Sequence, residues 1–213
     1  MEPRTALNCL LLSCLVACSS ADSPPGSSTG TAASVRPGST PATAQDPSPA
    51  AGVEVDAGGL RFRAPTAWKL ETPSSPMRKL QATLPRQGSD PEDASLVVYY
   101  FGAGQGGTKE QNIERWAGQF EQPDGRASID VLKRSSRRVG ELPVEEVDVS
   151  GDFVAETQPG SGVRVHKTGW RLLAAIVDAP DGPYFVKLTG PQATVTHWEG
   201  AFRALMTSVQ KAR

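Results

Sequence analysis

An α+β fold, mainly an antiparallel sheet of about six to seven strands with two amphipathic helices, follows from three features of the 213-residue sequence. Two short, continuous apolar runs, Leu96–Phe101 and Leu172–Val177, mark central strands covered on both faces. Ile113, Trp116, Ala117 and Phe120 form a helical stripe behind the capping pattern Thr108-Lys109-Glu110-Gln111. Val195, Trp198, Phe202, Leu205, Met206 and Val209 stripe a second helix near the C-terminus. A sheet with apolar central strands needs cover on both sides, which makes an α/β/α sandwich.

The elements follow in order. Leu60–Ala64 reads as a strand ended by Pro65, with Trp68 in a second extended piece. Leu80, Ala82 and Leu84 alternate with Gln81 and Thr83, the pattern of a half-buried strand. After Leu96–Phe101 and a Gly-rich turn, the first helix runs to Pro123-Asp124-Gly125. Ile129–Val139 and Leu142–Phe153 make a hairpin about Gly140-Glu141, which sets Lys133 opposite Asp148. Trp170–Asp178 and Tyr184–Thr189 make another about Ala179-Pro180-Asp181-Gly182. The C-terminal helix ends near Lys211 and Arg213, cations suited to its negative end.

The first 52 residues have a different character. All three cysteines, Cys9, Cys14 and Cys18, lie in the first eighteen residues, and all thirteen aromatics lie at or beyond Phe62. Residues 1–17 read as a secretory signal: a short charged start with Arg4, then an apolar run from Leu7 too short to span a bilayer. Its end, Leu15-Val16-Ala17-Cys18, resembles the lipobox of bacterial lipoproteins, with small residues before a thiol that takes a diacylglyceryl group. Ordinary cleavage near Ala17 would instead leave Cys18 as a free thiol. The lipobox resemblance implies anchoring in a membrane through acylated Cys18. Ser19 after it resembles the signal for the outer membrane, with the protein facing the periplasm. Several acyl chains on one residue give the stable attachment that one chain does not.

Residues 18–52 then form a tether. From Ser19 to Gly52, 29 of 34 residues are Ser, Thr, Ala, Pro or Gly, so nothing there offsets the entropy of ordering the backbone. As a coil it spans about 30 Å on average. Residues 53–213 are the folded domain, with 20 basic and 20 acidic residues and no cysteine. That neutrality weighs against nucleic acid as a partner. The missing thiol excludes disulfides, thiolate nucleophiles and cysteine-ligated zinc in the domain.

The stretch Leu60–Trp68, with its Phe62-x-x-Pro65-x-x-Trp68 frame, is followed by Met77-Arg78, Leu84-Pro85, Leu96–Phe101, Gly104-Gln105-Gly106-Gly107 and Asn112–Phe120. With the closing helix, these resemble the Mog1/PsbP-like group over about residues 58–210. Within it, they are similar to bacterial lipoproteins of the myxobacterial and planctomycete type. The resemblance implies a Mog1/PsbP-like α/β/α sandwich. The group spans a nuclear binding protein, a photosystem subunit and periplasmic lipoproteins, so the fold alone sets no function.

Chemistry-bearing groups are few. Gly102, Gly104 and Gly107 match a dinucleotide fingerprint, with Asp130 downstream, but two helices and an antiparallel pattern fit a turn before a capping box better. The basic run Lys133–Arg138 suits anionic headgroups, or else the facing acids Glu145, Glu146 and Asp148. Glu145 and Glu146 point to opposite faces of a strand and make no acid–base pair. His166 and His197 have no partner at metal-ligand spacing. Trp68, Trp116, Trp170 and Trp198 could line a ligand pocket, but their places on apolar helix stripes and at strand beginnings fit core packing better. No catalytic residue, metal site or cofactor emerges. Two functions are therefore expected. The first is a non-enzymatic binding or accessory module for another envelope component. The alternative is a small-ligand or hydrolytic site using the Gly102–Gly107 turn and the 154–169 connection, with Gly104, Gly106, Gly107, Arg164 and His166 as candidate ligand contacts.

Overall fold

Eight strands join in one sheet, and the long central ones carry apolar side chains on both faces. The computed structural model describes residues 52–156 and 161–212. The signal, Cys18 and nearly all of the tether lie outside the described residues. The main sheet comprises β3 (Lys69–Glu71), β4 (Arg78–Leu84), β5 (Ala94–Tyr100), β6 (Phe120–Glu121), β7 (Lys133–Val139), β8 (Leu142–Phe153), β9 (Lys167–Ala179) and β10 (Gly182–Pro191). Its order is β3-β4-β5-β10-β9-β8-β6, with β7 also paired to β8, and every pairing is antiparallel. A smaller sheet, β1-β2-β11, is made of β1 (Gly52–Asp56), β2 (Leu60–Pro65) and β11 (Gln210–Lys211). The helices are α1 (Lys109–Ala117), the single turn α2 (Ser128–Val131) and α3 (Gln192–Thr207). The fold is α+β with a mostly antiparallel sheet.

The two hairpins turn where their residues require. Val139 pairs with Leu142, leaving Gly140-Glu141 as a two-residue loop in which Gly140 has φ +59°. Lys133 faces Asp148 in that ladder. The residues from Trp170 to Val177 are all buried, as a strand covered on both faces must be.

Alternation along the strands splits the interior into two cores. Leu80, Leu96, Val98, Leu173, Val177, Val186 and Leu188 face α3 and the small sheet, packing with Phe62, Trp68, Trp198, Phe202 and Leu205. Val147, Val149, Trp170, Leu172, Ala174, Ile176 and Phe185 face α1, meeting Ile113, Trp116 and Phe120. The first core has two covering elements. The second has one helix of nine residues, and this shortage shapes the candidate site.

Several elements differ from the sequence reading. The first helix ends at Ala117, where the Gly118 N–H bonds to the Glu114 carbonyl. Phe120 leaves the helix to pair with Phe153, because the end of β8 offers unpaired backbone groups. Ile129 is exposed on a single helical turn rather than in a strand. Ser128 explains this: its hydroxyl donates to the Phe120 carbonyl at 2.7 Å and accepts from Gln122 at 2.9 Å, holding the chain in a turn. Trp68 lies in the bend before β3, its N–H bonded to the Pro65 carbonyl. Val209 is buried just beyond α3. The short strands β1 and β11 were not anticipated.

Candidate functional site

The helix α1 covers β8, β9 and β10 but is too short to reach over β4 and β5. A step is left where the helix stops, and the Gly102–Gly107 turn climbs it from β5 to α1. Along this step runs a groove of about 630 Å³. Its walls are aromatic. Tyr99 and Phe101 stack with centroids 5.9 Å apart, Phe101 lies 5.8 Å from Phe185, and Trp116 meets Phe185 edge-on at 6.3 Å. Phe101 remains partly exposed at the rim.

The turn passes between two of these rings at Gly106, which has φ +90°. A Cβ there would come within 2.8 Å of Phe185 and 2.9 Å of Phe101, so only glycine fits. Asn112, fully buried on α1, donates from its amide nitrogen to the carbonyls of Gly106 and Thr108, both at 2.8 Å. Its amide oxygen accepts from the Arg115 guanidinium. One side chain thus ties the turn to the helix and aims Arg115 along the groove. The helix start itself is held by the anticipated capping box, with Thr108 and Gln111 bonded reciprocally.

Two cations line the groove, half-buried Lys187 on β10 and solvent-exposed Arg115 on α1. Lys187 on β10 donates from Nζ to the Gln119 side-chain oxygen at 3.0 Å and lies 5.9 Å from the Trp116 ring centre. Burial pushes its ammonium down to about 8, and the neighbouring Arg115 charge adds to the effect. Arg78 sits 5.4 Å from the Tyr99 ring at the outer margin. No Asp or Glu lines the groove, and among the described residues neither Arg115 nor Lys187 has a carboxylate within ion-pair distance. Two uncompensated cations between flat aromatic walls suit an anion on a planar apolar body.

The residues singled out in the sequence do not all meet there. Gly106 and Gly107 line the groove, while Gly104 faces open space. The turn lies beside Gly182, at one end of β9. The 154–169 connection lies at the other end, beyond the Phe153–Lys167 pair. The twelve residue steps of β9 separate the two by about 40 Å along the strand. Arg164 pairs with Glu156 in a short bridge there, and His166 Nε2 is 3.8 Å from Asp152. The basic run on β7 is met by acids: Arg134 bonds Glu145 and Glu110, and Arg137 bonds Glu146 at 2.9 Å. Glu145 and Glu146 do serve opposite faces of the sheet. Among the described residues there is no cluster of three metal-ligating side chains, and no helix is long and apolar enough to cross a membrane.

Lys187 and Arg115 were not foreseen. A signal for Lys187 did exist in the sequence. It shares the parity of Phe185 in an otherwise apolar strand, so its stem had to enter a covered face.

No protein-family model matches the chain, and no curated protein does. Solved structures do show likeness. They include LpqN of Mycobacterium tuberculosis, involved in cell envelope biogenesis, at 11% identity and TM-score 0.47, covering 76% of this chain and 86% of that one. A protein of unknown function from Pseudomonas aeruginosa has 14% identity and TM-score 0.43, with 76% and 98% covered. The cyanobacterial PsbP of Synechocystis sp. PCC 6803 has 10% identity and TM-score 0.47, with 81% and 100% covered. Nothing of what those proteins do is carried over at such identities.

Proposed function

We propose that this chain is a lipid-anchored binding module of the bacterial cell envelope, whose groove beside α1 holds a component bearing an anionic group on a flat apolar body. The observation that carries the reading is the pair Arg115 and Lys187, without a carboxylate partner, between Trp116, Phe185, Tyr99 and Phe101. Arg134, Arg137 and Arg171, by contrast, each have a carboxylate partner. The lipobox-like Cys18 and the tether support the envelope part of this reading, in which the domain stands off an outer-membrane surface. No grouping of nucleophile and base lines the groove, which favours binding over hydrolysis.

The test uses 4-methylbenzoate as probe and the tryptophan fluorescence of the full chain as readout. Saturable quenching is expected, and Arg115→Ala should weaken it about tenfold or more through loss of a charge-assisted hydrogen bond. Arg126→Ala, at an exposed ion pair with Asp124, should leave it unchanged. Linear, non-saturating quenching in the wild-type chain sinks the reading. For anchoring, Cys18→Ala should move the protein from the membrane fraction to the soluble one. Continued membrane association would overturn acylation at Cys18.

A further inference from the structure

We propose that the groove captures its ligand covalently, with Lys187 Nζ condensing with an aldehyde or ketone carbon of an aromatic anion to form an imine. This rests on the groove reading above and adds a chemical class to it, an aromatic carbonyl compound that also carries a carboxylate or phosphate.

The seven lysines of the chain are not equivalent. Lys109, Lys167 and Lys211 each hold a carboxylate. Lys187 stands in the aromatic groove with a neutral amide oxygen as its partner and a second cation as its neighbour, whereas the cavity beside Lys133 is lined by Glu146 and Asp148. Desolvation beside another positive group is the arrangement that frees an amine lone pair near neutral pH. The charged or titratable groups facing it are Arg115 from α1 and Tyr99 from β5, with Arg78 beyond that ring. Neither arginine can accept its proton. The Gln119 oxygen, 3.0 Å away, fixes the head group by accepting a hydrogen bond from it.

The step balances without a further reactant. The Nζ lone pair attacks the carbonyl carbon and the C=O π pair moves to oxygen. The two amine hydrogens leave with that oxygen as water, and the C=N bond forms. Arg115 holds the ligand's anionic group, and Trp116 and Phe185 take its ring. Nothing is oxidised or reduced.

The experiment treats the full chain with limiting 4-carboxybenzaldehyde, reduces the imine with borohydride and maps the adduct by peptide mass spectrometry. Labelling of Lys187 about tenfold above the mean of the other six lysines is expected. The labelling rate should climb with pH through about 8, where the Lys187 amine loses its proton. Arg115→Gln should slow labelling by 4-carboxybenzaldehyde more than labelling by neutral 4-methylbenzaldehyde, which loses only the effect of the Arg115 charge on the amine, whereas a misfolded variant would slow both alike. Even labelling of all lysines overturns the proposal. Saturable binding of 4-methylbenzoate without preferential Lys187 labelling overturns imine formation and leaves the groove reading standing. Failure of both removes the groove reading as well.

Discussion

Trp198→Ala should lower the unfolding free energy by about 3–5 kcal/mol, the largest single-residue effect expected in this domain. The ring is 5% exposed and stands at the centre of the α3-side core. It meets Trp68 edge-on at 6.4 Å and packs against His197. Its indole N–H donates to the Pro85 carbonyl at 2.9 Å, so truncation empties a large volume and also strands a polar group. Trp198→Phe separates the two contributions. It keeps most of the volume, loses the hydrogen bond and should cost about 1–2 kcal/mol. Urea melts of the full chain measure both. A loss below about 1 kcal/mol for the alanine variant would mean that α3 can collapse onto the sheet and refill the space.

Arg171→Ala should cost about 3 kcal/mol at neutral pH, since removing one member of a largely buried ion network leaves the others uncompensated. Arg171 bonds both carboxylate oxygens of Asp148 at 2.9 Å, Glu199 at 2.7 Å and the Thr196 hydroxyl at 3.0 Å. Strand β8, strand β9 and helix α3 converge on this one guanidinium. Its pKa is raised, with the Asp148 hydrogen bonds the largest cause. The pH dependence has a definite sign. Hydrogen bonding from Arg203, and then from Arg171, holds the Glu199 carboxyl below the usual range. Its contribution is therefore present above the ordinary carboxylate pKa and lost as pH falls through the depressed one. The gap between wild type and Arg171→Ala should narrow over that acidic window. A gap that stays constant on acidification would show that the lost stability is packing of the arginine stem.

Much of the fold was legible because its signals are local. The capping box at Thr108 depends on four consecutive residues, and the Lys133–Asp148 register depends on a two-residue turn. The buried run of β9 is visible as unbroken apolarity. What escaped the sequence was decided by neighbours far along the chain. Phe120 leaves its helix for a free end of β8, and Ile129 follows the hydrogen bonds of Ser128. The candidate site was half legible. Gly106 and Gly107 stood out by composition, but Arg115 and Lys187 meet only because β5 pairs with β10 and the turn after β5 carries the chain to α1 beside β10. The 154–169 connection drew attention by length, which says nothing about the end of the sheet on which it lies.

Strand β9 faces a difficulty that its burial creates. A strand that is apolar on one face is locked in register, because a slip of one residue would expose its core side to water. From Trp170 to Val177 both faces are apolar, so the same slip would merely exchange one core for the other. Arg171 is the only charged residue in that run. Shifted by one place, its guanidinium would leave Asp148 and Glu199 and enter the face occupied by Trp116 and Phe120. The ion network therefore acts as the indexing pin of the sheet. It selects one alignment from two that hydrophobicity alone would nearly equate.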